Sequence, residues 1–420
     1  MEPAHIERRD FLLALGGGAL SWPRALWALE DRWRPGGGRE ADVWQEVRDQ
    51  FLIPRDRIYL NNGTLGPQPR VVVEAVAEHT RQVAMTFPPG VDWDGLKTSL
   101  SAALGGDPDG FVVPRNTTEA MNVVANGLEL HPGDEVVTTD HEHIGGLSPW
   151  ELVTARRGAR LIIARLPLPF PTGEDVAAAV WDRVGPRTRV VSVSHVLFTN
   201  GAVVPVAELA RRCRERGIVF VVDGAHPPGL FPLDIGAIGA DFYASSPHKW
   251  LLAPQGTGLL WMARHWRERL WPTLASGDWE KGGAQRFNHV GTLDESRLAG
   301  LQAALEFYRS VGPDRIWDRV RALQRRLREG LAAIPGVALR SPTVGGSAGM
   351  TAFRMEGVDA LALQGHLARA ARVRTRVIGE YELRWMRLST HYYNLPDEVD
   401  RVLELLDRAA REGVPSPSNP

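Results

Sequence analysis

The chain has 420 residues, 44% of them hydrophobic and 24% charged, enough to bury a substantial core in two or three domains. A formal net charge of −1 removes the electrostatic case for nucleic acid or a membrane surface as partner. The single cysteine, Cys213, excludes an intramolecular disulfide framework and any multi-cysteine metal site.

Residues 1–30 carry Arg8-Arg9 and then a weakly apolar, glycine-containing stretch to Leu20. A paired arginine ahead of such a segment is the pattern of a twin-arginine export signal, with cleavage expected near 25–28. Roughly ten moderately apolar residues are too few to span a bilayer, so no stable membrane anchoring is expected. The alternative is an ordinary amphipathic first helix and a cytoplasmic protein. Residues 31–58 read as a linker followed by an amphipathic helix at 41–51, and 59–67 is rich in turn residues. Helices are expected at 71–83 and 95–104, the second closed by Gly105-Gly106.

A strand from Phe111 leads into Thr117-Thr118 at the start of a helix that reaches about 128. Backbone N–H groups and two hydroxyls at a helix N-terminus suit a phosphate as well as a plain N-cap. The strand at 134–140 ends in Asp140-His-Glu-His-Ile144. His141 and His143 share one face there, but no carboxylate or cysteine cluster completes a metal site, and none is expected. Strands at 161–166 and 189–196 flank a helix at 174–184, and this alternation implies right-handed crossovers and a largely parallel sheet. Cys213 falls inside the helix at 204–217, a core position for a thiol.

The most informative stretch is 218–261. The apolar, β-branched run Ile218–Val222 predicts a buried parallel strand with Asp223 at its carboxyl end, where open α/β sheets place ligands. A second short strand delivers Lys249, preceded by His248. The chain holds 49 Lys+Arg but only three lysines, Lys97, Lys249 and Lys281. A lysine kept in an apolar strand-end setting by an arginine-rich chain points to a need for a deprotonatable amine. An acid and a lysine at neighbouring strand ends suit pyridoxal phosphate: the acid holds the pyridine nitrogen protonated and the lysine forms the Schiff base. Beyond them, helices are expected at 295–310, 314–333, 359–371 and 397–411, with strands at 337–340, 349–355, 373–377 and 383–389.

Asp223-Gly-Ala-His226 and Ser246-Pro-His-Lys249 resemble the signatures of the class V aminotransferase group of fold-type I pyridoxal-phosphate enzymes. That group includes cysteine desulfurases, isopenicillin N epimerase-like proteins, kynureninase-like enzymes and C–S lyases. The resemblance runs from about residue 59 to about 405. It implies an α/β fold: a large domain at 59–310 around a mostly parallel seven-stranded sheet and a smaller α+β domain at 311–412; residues 413–420 read from the sequence itself as a disordered tail. It implies that Lys249 and His143 are catalytic, His143 also stacking on the cofactor ring. Thr117, Thr118, Asp223, His226, Ser246 and His248 would bind the cofactor. Gly291-Thr292 would reach the phosphate of a neighbouring subunit, making the enzyme a homodimer with shared sites. Arg387, in the stretch Arg387 to Asn394, would hold a substrate carboxylate, and Asn62, in a loop expected over the active site, would also meet the substrate. Phe198 departs from the polar residue that many relatives place near the cofactor's phenolic oxygen, leaving Thr199 or Asn200 for that contact.

The function so implied is α-proton abstraction from an amino acid or amino-acid-like substrate, by an isopenicillin N epimerase-like enzyme or an aminotransferase. A β-eliminating C–S lyase is the alternative, and a catalytically silent cofactor-binding protein stands behind both. The stretch 374–381 lacks the mobile thiol that a cysteine desulfurase needs.

Overall fold

The computed structural model describes residues 40–86, 91–169, 171–277, 279–288 and 291–414. The expected export segment 1–30, the linker 31–39 and tail residues 415–420 lie outside them. Helices α1 (Glu40–Asp49), α2 (Arg70–Thr86) and α3 (Trp93–Leu104) precede the sheet. The last starts at Asp92, whose side chain accepts from the Gly95 N–H at 2.9 Å, a cap worth about 1 kcal/mol. Strand β1 (Phe111–Val112) is short: Pro114 has no N–H to give the ladder, although its carbonyl still accepts from the Gly258 N–H at 2.7 Å.

Strands and helices then alternate. The order is α4 (Thr117–Gly127), β2 (Glu135–Thr139), α5 (Ile144–Arg157), β3 (Arg160–Ala164), α6 (Gly173–Trp181), β4 (Thr188–Ser194), α7 (Val206–Glu215) and β5 (Val219–Asp223). A single turn, α8 (Ile235–Ile238), leads to β6 (Phe242–Ser245) and β7 (Leu259–Met262). The seven strands form one sheet in the order β1-β7-β6-β5-β4-β2-β3. Neighbours from β6 to β3 are parallel, and β7 alone runs against both of its neighbours. The expected mostly parallel sheet is present, and its strands are apolar along their length because helices cover both faces.

The topology fixes where a ligand can sit. The chain steps outward from β2 to β3, then returns to the other side of β2 as β4, so the connections diverge there and open a crevice at the carboxyl ends. Register places Ser194 beside Asp223 and Asp223 beside Ala244, so β4 and β5 present their last residues side by side and β6 ends one residue further on.

Helix α9 (Ser296–Val311) packs back on α2, and α10 (Pro313–Ala333) leads to a second sheet. Its strands β8 (Val337–Leu339), β9 (Met350–Met355), β10 (Arg376–Ile378) and β11 (Trp385–Ser389) are antiparallel in the order β10-β11-β9-β8. Leu323, Leu327 and Leu331 of α10 share one core with Leu367 of α11 (Ala360–Ala371) and Leu406 of α12 (Pro396–Glu412). Ile58 and Leu60 enter that same core, so the chain runs along the small sheet before it reaches the large one. The expected strand at 373–377 is displaced for the same reason. Arg374 exchanges backbone hydrogen bonds with Ile58 and Leu60 at 2.8 and 2.9 Å, and pairing with β11 begins only at Arg376. Among the described residues no helix is long and apolar enough to cross a membrane.

Candidate active site

Asp223 ends β5 and is buried, its carboxylate accepting from the Ala225 N–H at 3.0 Å. Between them Gly224 is obligatory: a Cβ there would lie 2.0 Å from the Tyr243 ring. Burial raises the Asp223 carboxyl above its ordinary range, against the opposing pull of the Lys249 charge.

Lys249 follows β6 on a turn closed by its N–H to the Ser246 carbonyl, 3.0 Å. Its backbone is held from the opposite side. The Gly66 N–H donates to the His248 carbonyl at 2.9 Å, and Asn62 Nδ2 donates to the Lys249 carbonyl at 3.3 Å. His391 Nε2 donates to the Trp250 carbonyl at 2.9 Å. The lysine backbone is thus fixed while its amine lines a cavity of about 250 Å³ together with Asp223. Among the described residues no carboxylate forms an ion pair with that amine. Burial lowers it to about 8, opposed by Asp223 and assisted by Arg387 and Arg376.

The first turn of α4 closes one end of the cavity. Asn116 caps the helix through the Glu119 N–H at 2.9 Å, and Thr117 is tied to Ser246 by both its N–H (3.2 Å) and its hydroxyl (2.7 Å). Asn116, Thr117, Thr118 and Ser246 all line the cavity at this helix N-terminus, where the dipole and N–H groups favour an anion.

Three histidines complete the lining. His143 caps α5, its Nδ1 accepting from the Gly145 N–H at 3.1 Å, so the neutral ring carries its proton on Nε2. His226 Nδ1 accepts from Trp250 Nε1 at 2.9 Å, and His248 Nδ1 donates to the Thr257 carbonyl at 3.2 Å. Burial, with the Lys249 charge behind it, lowers all three: His143 and His248 to about 4, His226 well below its ordinary value. They are neutral near pH 7. Gly145 and Gly146 leave room beside them, since a Cβ would meet Thr118 Oγ1 at 2.2 Å or Asp223 Oδ2 at 2.6 Å.

Arg387, at 1% exposure, projects from β11 and donates to the Phe198 carbonyl (2.6 Å) and Thr64 Oγ1 (3.2 Å). Three groups that sequence reasoning did not single out stand beside these. Arg376 of β10 lines the same cavity. Glu142 is buried behind it, accepting from Thr139 Oγ1 at 2.8 Å and from Ser194 Oγ at 2.5 Å. Thr64 belongs to the turn that was read for Asn62.

The structure revises some expected roles. Asn62 was expected at the substrate, but both ends of its amide are spent on protein groups, the Lys249 carbonyl and the Tyr393 hydroxyl (3.1 Å). It braces the lysine and does not line the cavity. Neither Thr199 nor Asn200 reaches the cavity either: Thr199 pairs with His141 Nδ1 at 3.0 Å, and Asn200 donates to the carbonyls of Pro171 and Arg340, both at 3.2 Å. Phe198 itself is the lining residue, edge-to-face with His143 at 5.3 Å. Gly291 and Thr292 lie exposed on a separate hollow of about 730 Å³. Cys213 is buried in α7, its thiol pushed up to about 12, and is core.

These residues fit pyridoxal phosphate: a half-buried lysine with no carboxylate partner among the described residues, an acid at a strand end lining the same cavity, a flat neutral ring, and a helix N-terminus for an anion. Comparison with known proteins agrees. The family model for class V aminotransferases matches residues 95–402. The isopenicillin N epimerase of Streptomyces clavuligerus is 36% identical over 395 residues, covering 88% of this chain and 99% of its own. That of Amycolatopsis lactamdurans is 32% identical, covering 88% and 100%. A probable cysteine desulfurase of Xylella fastidiosa (strain 9a5c) is 28% identical, covering 86% and 94%. Among solved structures, a C-DES lysine-to-alanine mutant with glycine covalently linked to its PLP cofactor superposes with a TM-score of 0.79 at 26% identity, covering 86% and 98%. The cystine C–S lyase C-DES in complex with cysteine persulfide gives 0.77 at 26%, covering 84% and 98%. The chain has the fold-type I architecture and belongs to the class V aminotransferase family of pyridoxal-phosphate enzymes.

Proposed function

We propose that the protein removes the α-proton of an amino acid or amino-acid-like substrate, as an isopenicillin N epimerase-like enzyme or an aminotransferase. The observation that carries this reading is Lys249, its backbone held by Asn62 and the Ser246 carbonyl, its side chain lining one cavity with Asp223 and unpaired by any described carboxylate. Pyridoxal phosphate, when bound, draws electrons from the substrate α-carbon and so lowers the cost of removing its proton. Thr117, Thr118 and Ser246 would hold its phosphate. Asp223 would keep a proton on its ring nitrogen, and the neutral ring of His143 would restrain one ring face. Lys249 would anchor the cofactor and, once free, would serve as base for the substrate α-proton, a role suited to an amine that loses its charge near neutrality. Arg387 binds the substrate carboxylate.

Where the proton returns would decide the outcome: return to the opposite face of the α-carbon would give inversion, and no return to the α-carbon would allow transamination. A second reading, β-elimination, is supported by the likeness to the cystine C–S lyase C-DES. It needs the same base and a leaving group on the β-carbon. The desulfurase reading lacks its nucleophile, because the one cysteine of the chain is buried in α7.

The test is a panel of amino acids and sulfur-linked conjugates incubated with holoenzyme in deuterated water. Deuterium at the α-carbon with an inverted product marks an epimerase, a keto acid marks a transaminase, and pyruvate with ammonia marks a lyase. Lys249→Ala is expected to abolish borohydride fixation of the cofactor and to lower turnover by about 10²–10⁴-fold. Unchanged visible absorbance in that variant would remove the assignment. No deuterium and no product across the panel would leave a silent cofactor-binding protein.

A further inference from the structure

Two guanidiniums stand opposite one another at the cavity wall. Arg376 and Arg387 are direct cross-strand partners in the antiparallel pair β10–β11, so both side chains leave the same face of the sheet. Both line the cavity that holds Lys249. Like charges directly opposite destabilise a sheet, and here a third cation shares the space. The protein supplies little to offset them. Arg387 meets only neutral acceptors, the Phe198 carbonyl and Thr64 Oγ1, and its buried Nε has no partner. Burial and the Arg376 charge lower Arg387 to about 9, which reports the same crowding.

Arg376 differs in having one carboxylate partner, Glu380, four residues along its own chain. Its Nε is also buried without a partner. Glu380 opens a turn in which Tyr381, Glu382 and Arg384 all take positive φ (56°, 58° and 47°), a conformation costly for residues with a Cβ. Both members of the pair are about one-third exposed, at 31% and 36%, so the contact lies at the cavity mouth, where another carboxylate can compete for it.

We infer that the substrate carries a second anionic group, and that Arg376 selects it by exchanging Glu380 for a distal carboxylate while Arg387 holds the α-carboxylate. This rests on the amino-acid reading above and narrows it to acidic amino acids or acidic amino-acid conjugates. Because the partly exposed Glu380 pair is given up in the exchange, the net preference for the diacid is about 10-fold, the margin by which a pair inside the cavity exceeds one at its mouth.

The experiment measures binding of unreactive straight-chain acids to holoenzyme by calorimetry. Dicarboxylates from succinate to pimelate are compared with monocarboxylates of equal length. The wild type is expected to prefer its best dicarboxylate by about 10-fold or more. In Arg376→Gln that preference collapses while monocarboxylate affinity stays, and Arg376→Lys recovers part of it. Equal loss of both classes in Arg376→Gln would mean that the two arginines fork a single carboxylate, and would overturn the inference. A preference absent from the wild type, or intact in Arg376→Gln, would overturn it too. The visible absorbance of the same samples on adding amino acids separates the two levels. If no amino acid perturbs it, the amino-acid reading has failed; if amino acids perturb it without a diacid preference, only the role of Arg376 has.

Discussion

Glu142 shows how one carboxyl can be held against its own chemistry. It lies where the ends of β2 and β4 meet, with hydroxyls from Thr139 and Ser194 on its two oxygens. Burial raises it from an ordinary 4.5 to about 7; the hydroxyls pull the other way, and the Asp223 charge adds to the rise. The folded chain therefore keeps a proton on Glu142 at a pH where the unfolded chain has released it. That contribution to stability is complete below about 4.5 and is lost as pH climbs through about 7. Glu142→Gln keeps the shape and hydrogen-bonding capacity without the ionisation. Thermal unfolding of the holoenzyme is expected to show the variant gaining on wild type between pH 5 and pH 8, by on the order of 1–3 kcal/mol. Parallel pH profiles for the two proteins would show that the carboxyl ionises freely.

At the scale of elements, the lysine depends on a loop from the far side of the molecule. The 61–66 turn packs so closely on the 246–252 turn that a Cβ on Gly66 would sit 2.0 Å from the Lys249 carbonyl oxygen and 2.5 Å from Leu252. Leu252 already holds a positive φ of 62°, so the turn has little slack. Gly66→Ala must displace the Lys249 peptide. It is expected to cost about 1–3 kcal/mol in thermal unfolding and to weaken cofactor retention on dialysis. A variant matching wild type on both counts would mean that the two turns slide freely.

The sequence carried the alternation of strand and helix because apolar runs such as Val219–Val222 and caps such as Asp92 are local signals. It carried Asp223, Lys249 and the Thr117-Thr118 helix start for the same reason. Arg376 was not legible, because its meaning depends on which residue faces it across β10–β11, and register is a property of the paired sheet. Glu142 needed the packing of β2 against β4. Asn62 misled because a polar residue in a turn reads the same whether it meets a ligand or a backbone carbonyl.

For the whole molecule, the phosphate end of the cavity opens onto surface that a single chain leaves uncovered. A hollow of about 700 Å³ shares Asn116 and Thr118 with the cavity and is lined further by Leu274, Asn288 and Leu293. The hollow that holds Gly291 and Thr292 shares Asn288 and Leu293 with it, so one continuous surface joins the two. Nearby, Trp271 and Leu274, three residues apart, are 56% and 52% exposed, and together they add apolar area to this surface. If a second copy of the chain sat here it would bury these residues and bring its own Thr292 toward the first copy's helix N-terminus at Thr117, which is the shared-site homodimer that the resemblance implies and that we propose. Sedimentation of the wild type should then give a dimer. Trp271→Asp combined with Leu274→Asp should shift it toward monomer, and cofactor affinity should fall in step with dissociation although neither residue contacts the Lys249 cavity. A wild-type monomer with full cofactor occupancy would end the shared-site account. A dimer untouched by the double substitution would move the interface to another face.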